Sequence, residues 1–268
     1  MIRRALTRSE LPLSRRALRE AVTHGHLLRV RRGRYLPASA HPDIVAAARL
    51  GCRLDCVSLL RSLGVFVLDH AALHVHAANG SSRLPLPGDR VVRHWRACAD
   101  AAGTVVVDLV DALAQSCRCQ DPRSAIATLD SALHLGLIDE DGLTEVFRRL
   151  PARFAHLRRL LDPRAESGAE TLMRLLLRTL PCSVQVQVRI NGVGRVDFVV
   201  DGWLIIECDS RAHHEGWDAQ RNDRRRDLTA ATLGYTTIRP MAEDIFFRRD
   251  ELRETIAAIL RHRPVAAR

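Results

Sequence analysis

Residues 184–208 read VQVQVRINGVGRVDFVVDGWLIIEC, and this stretch decides the fold class. Val184–Ile190 alternates strictly between apolar and polar side chains, the period of a strand with one polar face. Asn191–Gly194 then turns the chain into a second strand, Arg195–Val200. Asp201-Gly202 turns it into a third, Trp203–Cys208. Upstream, Ser167–Leu180 reads as a helix with Leu172, Met173, Leu175 and Leu176 on its apolar side, ended by Pro181. Downstream, Asp218–Leu233 reads as a helix stopped by Gly234, Tyr235–Arg239 as a fourth strand and Asp250–Arg261 as a closing helix. The order α-β-β-β-α-β-α predicts an α/β domain over residues 166–268, an α+β mixed sheet too short to be doubly wound.

Four acids stand out in this region: Glu170, Asp197, Glu207 and Asp209. Asp197 lies between Val196 and Phe198, and Glu207 follows three apolar residues. Strand interiors rarely hold carboxylates, because an unpaired buried one is costly. Two on neighbouring strands point to a cation between them or to an arginine partner, for which Arg195 is a candidate. Mg²⁺ (or Mn²⁺) suits such a site, since it takes a few carboxylates and leaves positions to water and phosphate.

The hairpin supplies a geometric condition. A two-residue loop, Asp201-Gly202, sets Asp197 opposite Ile206 and turns Glu207 to the other face. A three-residue loop, Val200-Asp201-Gly202, with Gly202 left-handed, sets Asp197 opposite Ile205 and brings residues 205, 207 and 209 to its face. The metal reading therefore predicts an odd loop. Glu170 has a second reading, as the acid of the capping box Ser167-Gly168-Ala169-Glu170.

The stretches AESGAETLMRLLLR, RVDFVVDGWLIIECDSRAHH and DLTAATLGYTTIRP, in that order, resemble the restriction-endonuclease-like PD-(D/E)XK superfamily. Within it they resemble the domain family related to very-short-patch mismatch-repair endonucleases. The resemblance implies a restriction-endonuclease-like core, Asp197 as the central metal ligand, Glu207 as the second acid and Glu170 as the helix acid that completes the site. At the superfamily's lysine position the chain has Asp209. The related pattern E-x-D-G-x-x-H is matched by Glu207-Cys208-Asp209-Ser210-Arg211-Ala212-His213, with Ser210 at the glycine position. His213 or His214 then becomes the proton-transfer candidate. On the next helix Arg221, Arg224, Arg225 and Arg226 fit either a backbone-gripping surface or a solvated face, interrupted by Asp223 and Asp227.

Charge points the same way. The formal net charge is +10, every basic residue is Arg, and residues 1–40 hold ten Arg against Glu10 and Glu20. Arginine in place of lysine reads as a GC-rich coding bias, but bias does not explain clustering. The cluster predicts contact with a polyanion. Ser14 is a good N-cap for a helix over Arg15–His24, and Gly25 a good stop. LLRVRRGRYLP then alternates around Arg32-Gly33 as a two-stranded ribbon. Helix and ribbon together follow the plan of a winged helix-turn-helix, with Arg15, Arg16, Arg19, Arg29, Arg31, Arg32 and Arg34 as DNA-binding candidates. The bland alternative is a basic surface hairpin. SRRALREAVTHGHLLRVRRGRYL resembles the N-terminal winged-helix segment of AbiEi-type antitoxin proteins, which implies DNA-binding regulators among its relatives. The leading helices usual in such segments are shortened, with only residues 1–13 before Ser14.

Residues 41–165, opened by His41-Pro42, read as a mostly helical middle region. Helices are expected over 43–63, broken at Gly51 and closed by Gly64, and at 108–114, 122–135, 142–149 and 154–161. Strand-like runs are Val65–Leu68, Leu73–Ala77 and Val91–Trp95. Cys52-x3-Cys56 and His70-x3-His74-x-His76 suggest zinc, but both cysteines read as small hydrophobes on one Ala-rich core helix, so zinc is set aside. Cys117-x-Cys119 is set aside on spacing.

The 268 residues suffice for a buried core without staples. The seven cysteines include no CxxC pair and make a secreted disulfide framework implausible. Neither a secretory signal nor an 18-residue apolar run is present. The expectation is a cytoplasmic, Mg²⁺-dependent DNA endonuclease-like protein acting on double-stranded DNA, with no membrane contact and no small-molecule cofactor; two-stranded cutting would call for a homodimer. The alternative is a non-catalytic DNA-binding regulator that retains a nuclease fold. Only six Phe, three Trp and two Tyr are present, which argues against single-strand stacking and an RNA substrate.

Overall fold

Alternating sequence and left-handed turn residues build three small sheets, and capped amphipathic segments build the helices around them. The computed structural model describes residues 4–78, 80–81, 84–85, 90–96, 98, 103–208 and 217–262. The protein is a mixed α/β structure that divides into two compact units, residues 1–125 with 138–158, and residues 126–137 with 159–268.

The first unit opens with β1 (Leu6–Thr7), α1 (Arg15–Thr23), β2 (Leu27–Arg31) and β3 (Arg34–Pro37), the strands forming an antiparallel sheet in the order β1-β3-β2. Ser14 caps α1, its Oγ accepting from the Ala17 N–H at 3.1 Å. Gly25 ends the turn at φ 74°. Leu18, Leu11 and Tyr35 bury the contact between helix and ribbon.

Next come α2 (Pro42–Arg49), β4 (Arg53–Leu54), α3 (Cys56–Ser62), β5 (Leu73–Ala77), β6 (Val91–Trp95), α4 (Leu109–Cys119), α5 (Pro122–His134), α6 (Glu140–Arg149) and α7 (Ala155–Arg158). From Ile126 onward α5 belongs to the second unit. Strands β4, β5 and β6 form the second sheet, β4 antiparallel and β6 parallel to β5. Two expectations are corrected here. Val65–Leu68 is not a strand, and Cys52 and Cys56 do not share a helix. Gly51 ends α2 with φ 70°, β4 intervenes, and Cys56 opens α3. Helix α4 runs five residues beyond Ala114, because nothing between Ala114 and Cys119 breaks it.

The second unit contains α8 (Gly168–Leu177), β7 (Val184–Ile190), β8 (Gly194–Val200), β9 (Leu204–Ile206), α9 (Trp217–Thr232), β10 (Thr236–Ile238), α10 (Ala242–Phe247) and α11 (Arg249–Arg261). Its sheet runs β10-β9-β8-β7, with β7, β8 and β9 antiparallel and β10 parallel to β9. The central strands explain the sequence: β9 is buried along its whole length, while the edge strand β7 exposes Gln185 and Arg189. Val196, Val199, Ile205 and Ala230 pack in one apolar cluster. α10 is an element not anticipated between the fourth strand and the closing helix.

Within this unit Asp130 of α5 is almost fully buried with Arg174 of α8. Its Oδ2 accepts from Arg174 Nη2 at 2.8 Å and from Thr171 Oγ1 at 3.0 Å. Its Oδ1 accepts from the Asp162 N–H at 2.8 Å.

Candidate carboxylate site

Asp197 sits mid-strand in β8 between two buried apolar residues. The pairs Val186 with Phe198 and Val188 with Val196 set Gln187 of β7 across from it. Gln187 has φ 53°, a left-handed conformation that crowds Cβ against the backbone. Strain of that kind, about 1–3 kcal/mol, persists only where the surroundings enforce it. The Gln187 amide donates from Nε2 to Glu170 Oε2 at 2.8 Å. Its Oε1 is buried and has no hydrogen-bond partner among the described residues.

Glu170 keeps only half of the capping box read for it. Ser167 Oγ accepts from the Glu170 N–H at 3.2 Å, which is the first half of a capping box. The return half is missing: Glu170 Oε2 accepts from the Glu166 N–H at 2.9 Å instead, and from Gln187. The side chain is 6% exposed.

Asp197 Oδ2 accepts from the Cys208 N–H at 2.8 Å. Burial pushes the Asp197 carboxyl up to about 6; the Cys208 bond opposes this, and the negative charges of Glu170, Glu207 and Glu166 add to it.

The hairpin loop is odd, as the metal reading required, but displaced by one residue. Asp201 and Gly202 both have positive φ, 49° and 76°, and the Trp203 N–H bonds the Val200 carbonyl at 3.1 Å. Val200 then pairs with Leu204, leaving Trp203 as the extra residue. Continued one step, this register sets Asp197 across from Glu207, not from Ile205.

Glu207 already has cationic partners. Its Oε1 accepts from Arg226 Nη2 at 2.8 Å, and its Oε2 from Arg239 Nε at 2.9 Å. Arg239 also forks onto Asp227, with Nη2 to Oδ1 at 2.6 Å. Arg226 further donates to the carbonyls of Val193 at 3.0 Å and Arg195 at 2.8 Å. Arg195, the candidate partner of Glu207 in the alternative without a metal, pairs with Glu166 at 2.6 Å instead. Among the described residues, Asp197 and Glu170 have only neutral donors.

The described oxygens of Asp197, Glu170 and Gln187 are donors of the type Mg²⁺ takes. The close-set group of metal-ligating side chains among the described residues is, however, a Cys/His group in the first unit. Asp209, His213 and His214 lie outside the described residues.

Of the N-terminal arginines, Arg15, Arg16, Arg19, Arg29, Arg31 and Arg32 are exposed and Arg34 is half-buried. Arg16 pairs with Glu20 at 2.9 Å. Arg31 lies over Gly51, where its guanidinium fills the space a Cβ would need. Arg224 and Arg225 are exposed on α9. Gln187 and Arg239 are the site residues that sequence reasoning missed, and Arg226, read as a backbone-gripping or solvated side chain, instead bonds Glu207. The polar face of VQVQVRI marked Gln187 as one of several polar positions, but only the register singles it out.

Compared with known proteins, the chain matches no family model and no curated protein. Among the described residues no helix is long and apolar enough to cross a membrane.

Proposed function

We propose that the second unit is an Mg²⁺-dependent endonuclease-like domain that hydrolyses phosphodiester bonds in double-stranded DNA, brought to it by the basic N-terminal segment. One observation carries this reading. Two carboxylates that have no guanidinium among the described residues, Asp197 and Glu170, adjoin a strained Gln187 whose buried carbonyl oxygen has no partner among them either. Structures keep such strain and such an orphan oxygen where function requires them.

In this reading Asp197 and Glu170, with Gln187 Oε1, would hold the metal, which when bound would supply polarisation of the scissile phosphate and a more acidic water. Gln187 fixes the Glu170 carboxylate through Nε2. The Cys208 N–H fixes Asp197. Arg226 and Arg239 hold Glu207 at the edge of the site. The resemblance to PD-(D/E)XK nucleases noted in the sequence supports the same reading, and it assigns proton transfer to His213 or His214.

A second reading has its own observation. Both Glu207 oxygens are neutralised by arginines, as expected where a nuclease fold survives as a non-catalytic DNA-binding platform. Nicking of plasmid and of mismatched duplexes by the full chain separates the two. Cleavage with Mg²⁺ or Mn²⁺ that is lost in Asp197→Ala supports the endonuclease. Salt-sensitive binding without cleavage of either substrate in either metal overturns it in favour of the regulator.

A further inference from the structure

Outside the carboxylate site, four side chains from four separate elements of the first unit converge. Cys56 is the first residue of α3, His74 lies on β5, His94 on β6 and Cys119 is the last residue of α4. One ligand atom from each lies within 4.8 Å of all the others. His74 Nδ1 is 3.1 Å from His94 Nε2, and Cys119 Sγ is 3.8 Å from the same nitrogen. With bonds of about 2.3 Å to sulfur and about 2.0–2.1 Å to nitrogen, a tetrahedral zinc centre spaces its ligands about 3.4 Å (N to N) to about 3.8 Å (S to S) apart. The observed separations fall close to that range.

Hydrogen bonding alone serves this group poorly. An imidazole Nε2 has either one proton or one in-plane lone pair, so His94 Nε2 cannot satisfy both His74 Nδ1 and Cys119 Sγ. A cation at the centre would use all four lone pairs at once. Two thiolates would also cancel a dication, leaving a neutral centre in a partly buried place.

The surroundings hold the ligands in position. Cys56 has φ 51°, a left-handed conformation unusual for cysteine, and its N–H donates to Asp55 Oδ1 at 2.6 Å. Asp55 is fully buried and accepts from Arg96 Nη2 at 2.8 Å. Arg96 Nη1 donates to Gln115 Oε1 at 3.3 Å, and Gln115 Nε2 donates to Cys119 Sγ at 3.2 Å. The His74 N–H is held by Ser58 Oγ at 2.8 Å. A chain of hydrogen bonds thus runs from the backbone of one cysteine to the sulfur of the other, the kind of outer support that orients metal ligands.

We propose that Cys56, His74, His94 and Cys119 bind one structural Zn²⁺ ion that ties α3, α4, β5 and β6 together. Four protein ligands with no open position make the site structural. The spacing of Cys52 and Cys56 argues against zinc only if the two share a core helix, and they do not. The structure shows that Cys52, His70, His76 and Cys117 are not in the cluster, whereas His94 and Cys119 are.

The test uses the full chain, untagged and purified under reducing conditions from zinc-supplemented cells. Elemental analysis should find one zinc per chain, and Co²⁺ exchange should give the visible bands of a tetrahedral site with thiolate charge transfer. Cys119→Ser, at an exposed position, should fold and lose zinc occupancy about tenfold or more after dialysis against a weak chelator. Cys52→Ser, Cys117→Ser and Asp197→Ala should each keep it, so the result stands apart from that of the nicking assay. The proposal is overturned if folded wild-type protein takes up neither zinc nor cobalt. It is also overturned if Cys119→Ser combined with His94→Ala retains the metal, or if protein purified under reducing conditions and never exposed to a chelator holds Cys56 and Cys119 as free thiols that alkylate with no metal bound.

Discussion

Gln187 stands across the β7–β8 ladder from Asp197 in a left-handed backbone, and its amide bonds Glu170, so one strained residue adjoins both carboxylates of the site that have no arginine among the described residues. Gln187→Gly removes the Cβ that makes this conformation costly and should stabilise the backbone by about 1 kcal/mol, less whatever the lost amide bond contributed. It should also lower metal-dependent nicking about tenfold or more, because Glu170 loses its orienting donor. Thermal melting and nicking, measured together, check this. A variant that keeps full activity would remove Gln187 from the site.

The arginines on Glu207 differ in weight. Arg239 bridges Glu207 and Asp227, whereas Arg226 shares its donors between Glu207 and two backbone carbonyls. Arg239→Ala leaves two carboxylates facing each other and should destabilise the chain by about 2–3 kcal/mol. Arg239→Ala combined with Glu207→Gln should recover part of that loss. Urea midpoints of both single variants and the double decide the matter, and a double loss equal to the sum of the two single losses would show that the pair is not coupled.

Asp130 gives a pH dependence of definite sign. Burial raises its carboxyl from 3.8 to about 6, against the bonds from Asp162, Arg174 and Thr171. The folded chain therefore keeps a proton that the unfolded chain has lost between about pH 4 and pH 6. The stability linked to that proton is fully present below about pH 4 and is lost as pH rises through 6, by up to about 3 kcal/mol. Relative to Asp130→Asn, the wild type should lose stability between about pH 4 and about pH 7. Urea unfolding at both values tests this; a constant difference would mean the carboxyl does not titrate in that range.

On the ribbon, Arg29 and Arg32 are exposed, while Arg31 packs over Gly51. If the segment contacts DNA phosphates, Arg29→Ala and Arg32→Ala should each reduce the slope of log affinity against log salt by about 1. Arg31→Ala should also destabilise the first unit. Fluorescence anisotropy at several salt concentrations reads the slopes, and unchanged slopes would count against the ribbon as a DNA contact.

Much of this was legible along the chain because it is local. Ser14 and Ser167 cap helices where the sequence places them, and VQVQVRI forms the strand its alternation predicts. The odd loop was foreseen as well, but its frame was not, since Trp203 becomes the extra residue only once β9 pairs with both β8 and β10. What stayed hidden is long-range. Glu207 meets arginines 19 and 32 residues away, and the Cys/His cluster draws ligands from residue 56 to residue 119. Periodicity reports which face of an element is buried; it does not report which distant element arrives there.

The path of the chain between the two units has a consequence for how this architecture can be inherited. Residues 126–137 belong with 159–268, while 138–158 return to the first unit, so the backbone crosses between units three times. A gene fragment beginning at residue 159 would encode Arg174 without Asp130, leaving a nearly buried guanidinium with its counter-ion missing. The two halves are therefore not exchangeable modules joined at a single seam. Recombination could graft the four-stranded sheet onto another partner only by carrying α5 from Ile126 onward with it.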